Sequence, residues 1–118
     1  MDVDILGTTY KIIIKKISEY EDLKNRRLSG CCNRFHHEII VADMEETEYF
    51  GELTETEKTE YKKEVLRHEI VHAYLNESGL VNNAHVFELG WATNEEMVDW
   101  IALQFPKMID TFKQAGAI

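Results

Sequence analysis

Cysteine is scarce in this chain, and its two copies, Cys31 and Cys32, are adjacent. Adjacent thiols make neither a disulfide framework nor a C-x-x-C metal or redox spacing, so they read as reduced thiols on a strand or turn. Positive charge is short as well: 13 Lys and Arg stand against 22 Asp and Glu, a formal net charge of -9. A nucleic-acid footprint normally shows as a basic patch, and this balance speaks against one. Apolar runs are short, none approaching the roughly 20 residues that span a bilayer. Met1-Asp2-Val3-Asp4 lacks the positive start of a secretory signal, so the expected setting is cytoplasmic, with no membrane partner. No repeat, low-complexity tract or linker is visible. With 118 residues and 44% hydrophobic content, the chain has material for one core, and the expectation is a single domain, residues 1–118, acting as a monomer.

What is present divides into two halves, strands first and helices second, the pattern of an α+β domain. Residues 10–17 are short and rich in isoleucine, hence a strand. Residues 18–29 are polar, a short helix or a loop. Residues 30–32 and 38–43 flank the polar Asn33-Arg34-Phe35-His36-His37, which predicts two strands joined as a hairpin with both histidines in its turn. Residues 43–57 are acidic and poor in aliphatics, and read as a solvent-facing connection.

Thr54 and Glu57 then offer a capping box at the start of a long helix. Tyr61, Val65, His68, His72 and Leu75 form one stripe on it, with Leu66, Ile70 and Ala73 beside them. So wide an apolar arc implies burial. Gly79 can take the left-handed position that ends it. A last helix is expected from Thr93, capped by Thr93 and Glu96, with an apolar stripe of Val98, Ile101, Phe105, Met108 and Phe112. Pro106, the only proline, should kink or split it.

The long helix carries His68-Glu69-Ile70-Val71-His72, an H-E-x-x-H segment. Residues four apart lie one above the other on a helix, so the two imidazoles can grip one metal ion. Glu69 beside them can take a proton from a zinc-bound water and pass it to a leaving amine. A catalytic zinc usually takes three protein ligands. The metzincin continuation is excluded, because Leu75 and Ser78 stand where it wants glycine and histidine. The better third ligand lies in Asn94-Glu95-Glu96-Met97-Val98-Asp99. Glu95 and Asp99 share a helix face, so one can bind zinc while the other accepts the free ring N–H of a ligand histidine. Glu96 competes with Glu95 but suits the capping box, and His85 would give a three-histidine site instead.

These two segments in series resemble the gluzincins, the thermolysin-like zinc peptidases with H-E-x-x-H followed by N-E-x-x-x-D on a later helix. The short chain, with a small sheet before the metal helix, is most similar to the minimal gluzincins and the compact zincin-like peptidases of phages and prophages. The resemblance covers chiefly residues 66–99, with a weaker echo in residues 30–43. It implies a zincin-like fold, a small mixed sheet packed on the metal helix, and a C-terminal helix bringing the third ligand. His68, His72 and Glu95 would bind one zinc ion, Glu69 would act as base and acid, and Asp99 would orient a histidine. It also implies that a strand before the metal helix is a sheet edge receiving an extended peptide or protein substrate, for which Glu38, Ile39, Ile40, Val41, Ala42 and Asp43 are the candidates. Larger gluzincins supply a histidine or tyrosine to the oxyanion; here His85, Tyr49 or Tyr74 could substitute.

The leading expectation is thus a zinc metalloendopeptidase. The alternative is a catalytically weak or inactive zinc-binding regulatory or interaction protein of phage or prophage type. A latent enzyme, with the segment after Pro106 lying across its cleft, is the third.

Overall fold

A computed structural model of the chain describes residues 1–82 and 90–118. Its element order is β1 (Asp2–Ile5), β2 (Thr8–Lys15), a 3-10 turn (Ile17–Glu19), α1 (Glu21–Arg26), β3 (Gly30–Asn33), β4 (Glu38–Ala42), α2 (Thr47–Phe50), α3 (Glu55–Glu77), two further 3-10 turns (Leu80–Asn82 and Trp91–Thr93) and α4 (Glu95–Gln114). The architecture is α+β, with one mixed four-stranded sheet in the order β1-β2-β4-β3. β1 and β2 pair antiparallel, β2 and β4 parallel, and β4 and β3 antiparallel.

β1 was not foreseen. It joins β2 through Leu6 and Gly7, which both have positive φ (52° and 89°), as a two-residue turn matched to strand twist requires. The expected hairpin of residues 30–43 forms, and Asn33 shapes its turn by accepting N–H bonds from Phe35 and His36 at 3.1 Å each. The expectation that this hairpin's second strand is a sheet edge is overturned. β4, carrying Glu38, Ile39, Ile40, Val41 and Ala42, lies between β2 and β3, and Asp43 follows directly, its N–H bonded to Lys15 O at 2.8 Å. The physical reason is hydrophobic: Ile39 to Ala42 are all buried, and a strand apolar on both faces belongs inside a sheet. The free edge beside it belongs to the shorter, more polar β3.

The core gathers around β4, with Ile5 and Tyr10 from the first hairpin, Leu23 of α1, and Val65 and Ala73 of α3. Fully burying side chains of this size stabilises by roughly 1.5–3 kcal/mol each. Residues 43–57 are not wholly solvent-facing, since Met44 and Phe50 are buried in the same core and Thr47 to Phe50 form α2. Glu46 anchors that connection by accepting the Ile17 N–H at 2.6 Å and the Ser18 hydroxyl.

α3 begins with the expected capping box, Thr54 Oγ1 accepting the Glu57 N–H and Glu57 Oε1 accepting the Thr54 N–H, both at 3.2 Å. Its far end is tied to the sheet by Glu77, which accepts from Tyr10 Oη at 2.7 Å and Thr8 Oγ1 at 2.9 Å. Gly79, at φ 83°, follows as expected.

α4 departs from expectation in three ways. Its N-cap is Asn94, whose Oδ1 accepts the Met97 N–H at 2.9 Å; Thr93 instead donates to Gly90 O, one residue too early to cap. The helix runs through Pro106 without splitting. Of the expected stripe only Val98 is buried, joined by Ala102, while Phe105 and Phe112 stay exposed because the helix outruns the elements that could cover it. No described helix is long and apolar enough to cross a membrane.

A candidate metal centre between two helices and a strand edge

Helix geometry brings His68 and His72 together. Their Nε2 atoms stand 3.0 Å apart, each ring only partly exposed. The third group arrives because a second apolar cluster, Leu75 with Ala92 and Val98, flanked by Val71 and Met97, seats the start of α4 against the second half of α3. Arg67 strengthens the seat by donating from Nε to the Ala102 carbonyl.

This packing places Glu95 3.1 Å from His68 Nε2 and 3.2 Å from His72 Nε2, with one turn on Asp99 Oδ1 2.7 Å from His68 Nδ1. Glu96 enters no such contact, and Asn94 rather than the expected Thr93 is the N-cap. His85 lies outside the described residues.

His68 Nε2, His72 Nε2 and Glu95 Oε2 stand 3.0, 3.1 and 3.3 Å apart, a near-equilateral triangle of donor atoms. Donors 2.0–2.1 Å from a tetrahedral zinc are separated by about 3.3–3.4 Å, so a small contraction is all that distinguishes the two arrangements. Two imidazoles and a carboxylate are also a known catalytic zinc donor set. Asp99 adds the outer contact that fixes which ring nitrogen of His68 is free to bind. Burial lowers the pKa of His72, favouring the neutral ring that a metal needs, although Glu95 pulls the other way.

Glu69 stands on the other side. It is 6% exposed, its Oε1 4.0 Å from His68 Nε2. His68, Glu69 and His72 together form a cluster whose ligand atoms lie within 4.8 Å of one another and could hold a metal ion. Burial, followed by the charges of Glu95 and Asp99, raises the Glu69 pKa to about 8, with Arg26 opposing. A divalent cation would reverse that field.

Glu69 reaches this position only because Gly30 opens β3. A Cβ there would lie 2.6 Å from Val65 Cγ1 and 3.1 Å from Glu69 Cγ, so any side chain would push β3 off α3. The sequence held the signal, since glycine in a strand often marks close approach of another element. β3 then walls a cavity of about 480 Å³ whose lining includes His68, Glu69, His72, Glu95, Arg26 and Asn76. A smaller cavity of about 180 Å³, bounded by Ser29, Tyr61, Glu64 and Asp99, adjoins it at Gly30 and Glu69.

Cys31 and Cys32 are free thiols on the same wall. Burial, then the Glu69 charge, pushes their pKa values up to about 11 and about 12, so neither is a ready thiolate competitor for a metal.

Of the suggested oxyanion donors, Tyr49 and Tyr74 do not line the cavity, and His85 lies outside the described residues. Tyr49 stacks near Phe50 and Tyr74 lines an apolar groove with Phe105. His37, from the hairpin turn, packs its ring 5.2 Å from Tyr10 and stands 3.9 Å from Glu77; His36 is exposed. No residue of the segment after Pro106 lines either cavity, and its last turn closes on its own helix through Ala117 N–H to Phe112 O at 2.8 Å. No protein-family model, curated protein or solved structure matches the chain.

Proposed function

We propose that this chain is a zinc-dependent peptidase of gluzincin type, with a zincin-like fold. The observation that carries the reading is the triangle of His68, His72 and Glu95, made by two sequence segments 23 residues apart and backed by the Asp99 contact. His68, His72 and Glu95 would hold the ion, and Asp99 would keep His68 in the binding tautomer. Zinc, when bound, supplies Lewis acidity, which polarises a carbonyl and makes water a stronger acid.

The chain's own groups do the rest. The β3 edge offers unpaired backbone groups to an extended peptide and lays it along the cavity, in place of the β4 segment first assigned that role. Glu69 takes a proton from the attacking water as a C–O bond forms, and returns it to the amine as the C–N bond breaks. Its burial raises its basicity, and proximity to the donors positions it for both transfers.

The test is Glu69→Gln in zinc-loaded protein. Metal content should be unchanged and peptide hydrolysis lost; undiminished hydrolysis would refute the assignment. A second reading, a zinc-binding interaction protein, draws support from the exposed Trp100, Leu103, Phe105 and Phe112 of α4. Screening metal-loaded protein against a peptide library separates the two, since persistent inactivity beside a tight partner favours the second.

A further inference from the structure

The walls of the larger cavity are acidic or neutral except at one point. Arg26, the final residue of α1, lines it with Leu28, Cys31, Cys32 and Asn76. Arg26 is the one lysine or arginine among the described residues lining this cavity; Lys58 and Lys63 pair with glutamates elsewhere, Arg67 donates to the Ala102 carbonyl and Arg34 lies over the Phe35 ring. Arg26 has no hydrogen bond and no ion pair among the described residues.

An unpaired guanidinium beside a hydrolytic centre is a receptor in waiting, because its planar fork matches a carboxylate and forms two parallel bonds to it. Arg26 is solvent-exposed at the cavity wall, so its guanidinium is open to an incoming ligand. In a chain with a net charge of -9, an acidic ligand would otherwise be repelled from this cleft, so a single placed cation decides which acidic groups enter.

We propose that Arg26 is a specificity-determining residue that receives a carboxylate of the peptide substrate, so that the enzyme selects peptides bearing such a group close to the scissile bond. The inference rests on the peptidase reading. The carboxylate can be an Asp or Glu side chain or the free C-terminus; both present the same planar anion.

The experiment compares zinc-loaded wild-type, Arg26→Ala and Arg26→Glu on a peptide with glutamate near the cleaved bond, its glutamine counterpart, and each with a free or amidated C-terminus. Arg26→Ala should lower kcat/KM about ten- to a hundredfold on the preferred peptide, mainly through KM, and leave peptides without the carboxylate within about twofold. Arg26→Glu should reverse the preference, disfavouring the peptide that carries the carboxylate. Preference abolished by the glutamine exchange identifies a side chain; preference abolished by amidation identifies the C-terminus. A fall in kcat on every peptide alike would overturn the proposal, placing Arg26 on the reacting carbonyl, and so would no change at all. Binding of the same peptides to zinc-loaded Glu69→Gln protein reads the contact without turnover. Arg26-dependent binding there, with no hydrolysis by wild-type, upholds the contact and sinks the peptidase reading; carboxylate-independent binding sinks the contact alone.

Discussion

Glu69 offers the sharpest energetic test, because a carboxylate this deeply buried opposes folding whenever it must ionise without a cation. In metal-free protein its pKa rises from 4.5 to about 8, chiefly through burial. The sign follows from proton binding: between these values the folded state holds a proton that the unfolded state has released, so stability falls as pH rises. Below pH 4.5 the group is protonated in both states and the effect is absent; above about 8 the penalty is complete, on the order of 5 kcal/mol at 1.36 kcal/mol per unit. Glu69→Gln keeps the shape and removes the titration. In chelator, urea unfolding followed by far-UV circular dichroism should show the variant and wild-type diverging steadily from pH 5 to pH 8, the variant the more stable. Adding zinc should shrink the gap, since the cation favours the ionised carboxylate. A gap at pH 8.5 no larger than the roughly 0.5 kcal/mol of an ordinary surface change would refute the reasoning.

Other outcomes follow from single contacts. Gly30→Ala should destabilise by roughly 1–3 kcal/mol, as overpacking does, and lower any activity by moving β3; a neutral result in urea unfolding would show that the β3 and α3 approach is not tight. Asp99→Asn should weaken zinc binding about ten- to a hundredfold in a competition titration while leaving the fold intact, and unchanged affinity would remove Asp99 from the account. Thr54→Ala should cost about 1 kcal/mol through the lost α3 cap, measured by thermal unfolding. Cys31 and Cys32 should react with a thiol reagent far more slowly at pH 8 in the folded than in the unfolded protein, given their raised pKa values; equal rates would contradict their burial.

The parts of this molecule most legible in sequence were those governed by local chemistry. The α3 capping box, the Gly79 terminus, the hairpin of β3 and β4, and the four-residue spacing of His68 and His72 each depend on neighbours a few positions away. The meeting of Glu95 with both histidines came from motif spacing, and in the structure the Leu75 and Val98 cluster accounts for it. What sequence left hidden depended on partners distant in the chain. The order of strands turns on which side β2 takes beside β4, and nothing local to Glu38–Ala42 states that β3 will lie outside it. β1 carries a local signal, the polar–apolar alternation of Asp2 to Ile5 before a glycine turn. Arg26 could not be singled out, because only the packing of α1 near β3 turns an ordinary helix-end arginine into a cavity residue.

The central claim is that His68, His72 and Glu95 hold one zinc ion. Elemental analysis of purified wild-type protein beside His72→Ala, Glu95→Ala and Glu96→Ala tests it most directly. The account predicts about one zinc per chain in wild-type and in Glu96→Ala, a marked loss in Glu95→Ala, and none retained by His72→Ala. A wild-type protein that takes up no zinc on titration, or a Glu96→Ala protein that loses more than Glu95→Ala, would contradict it.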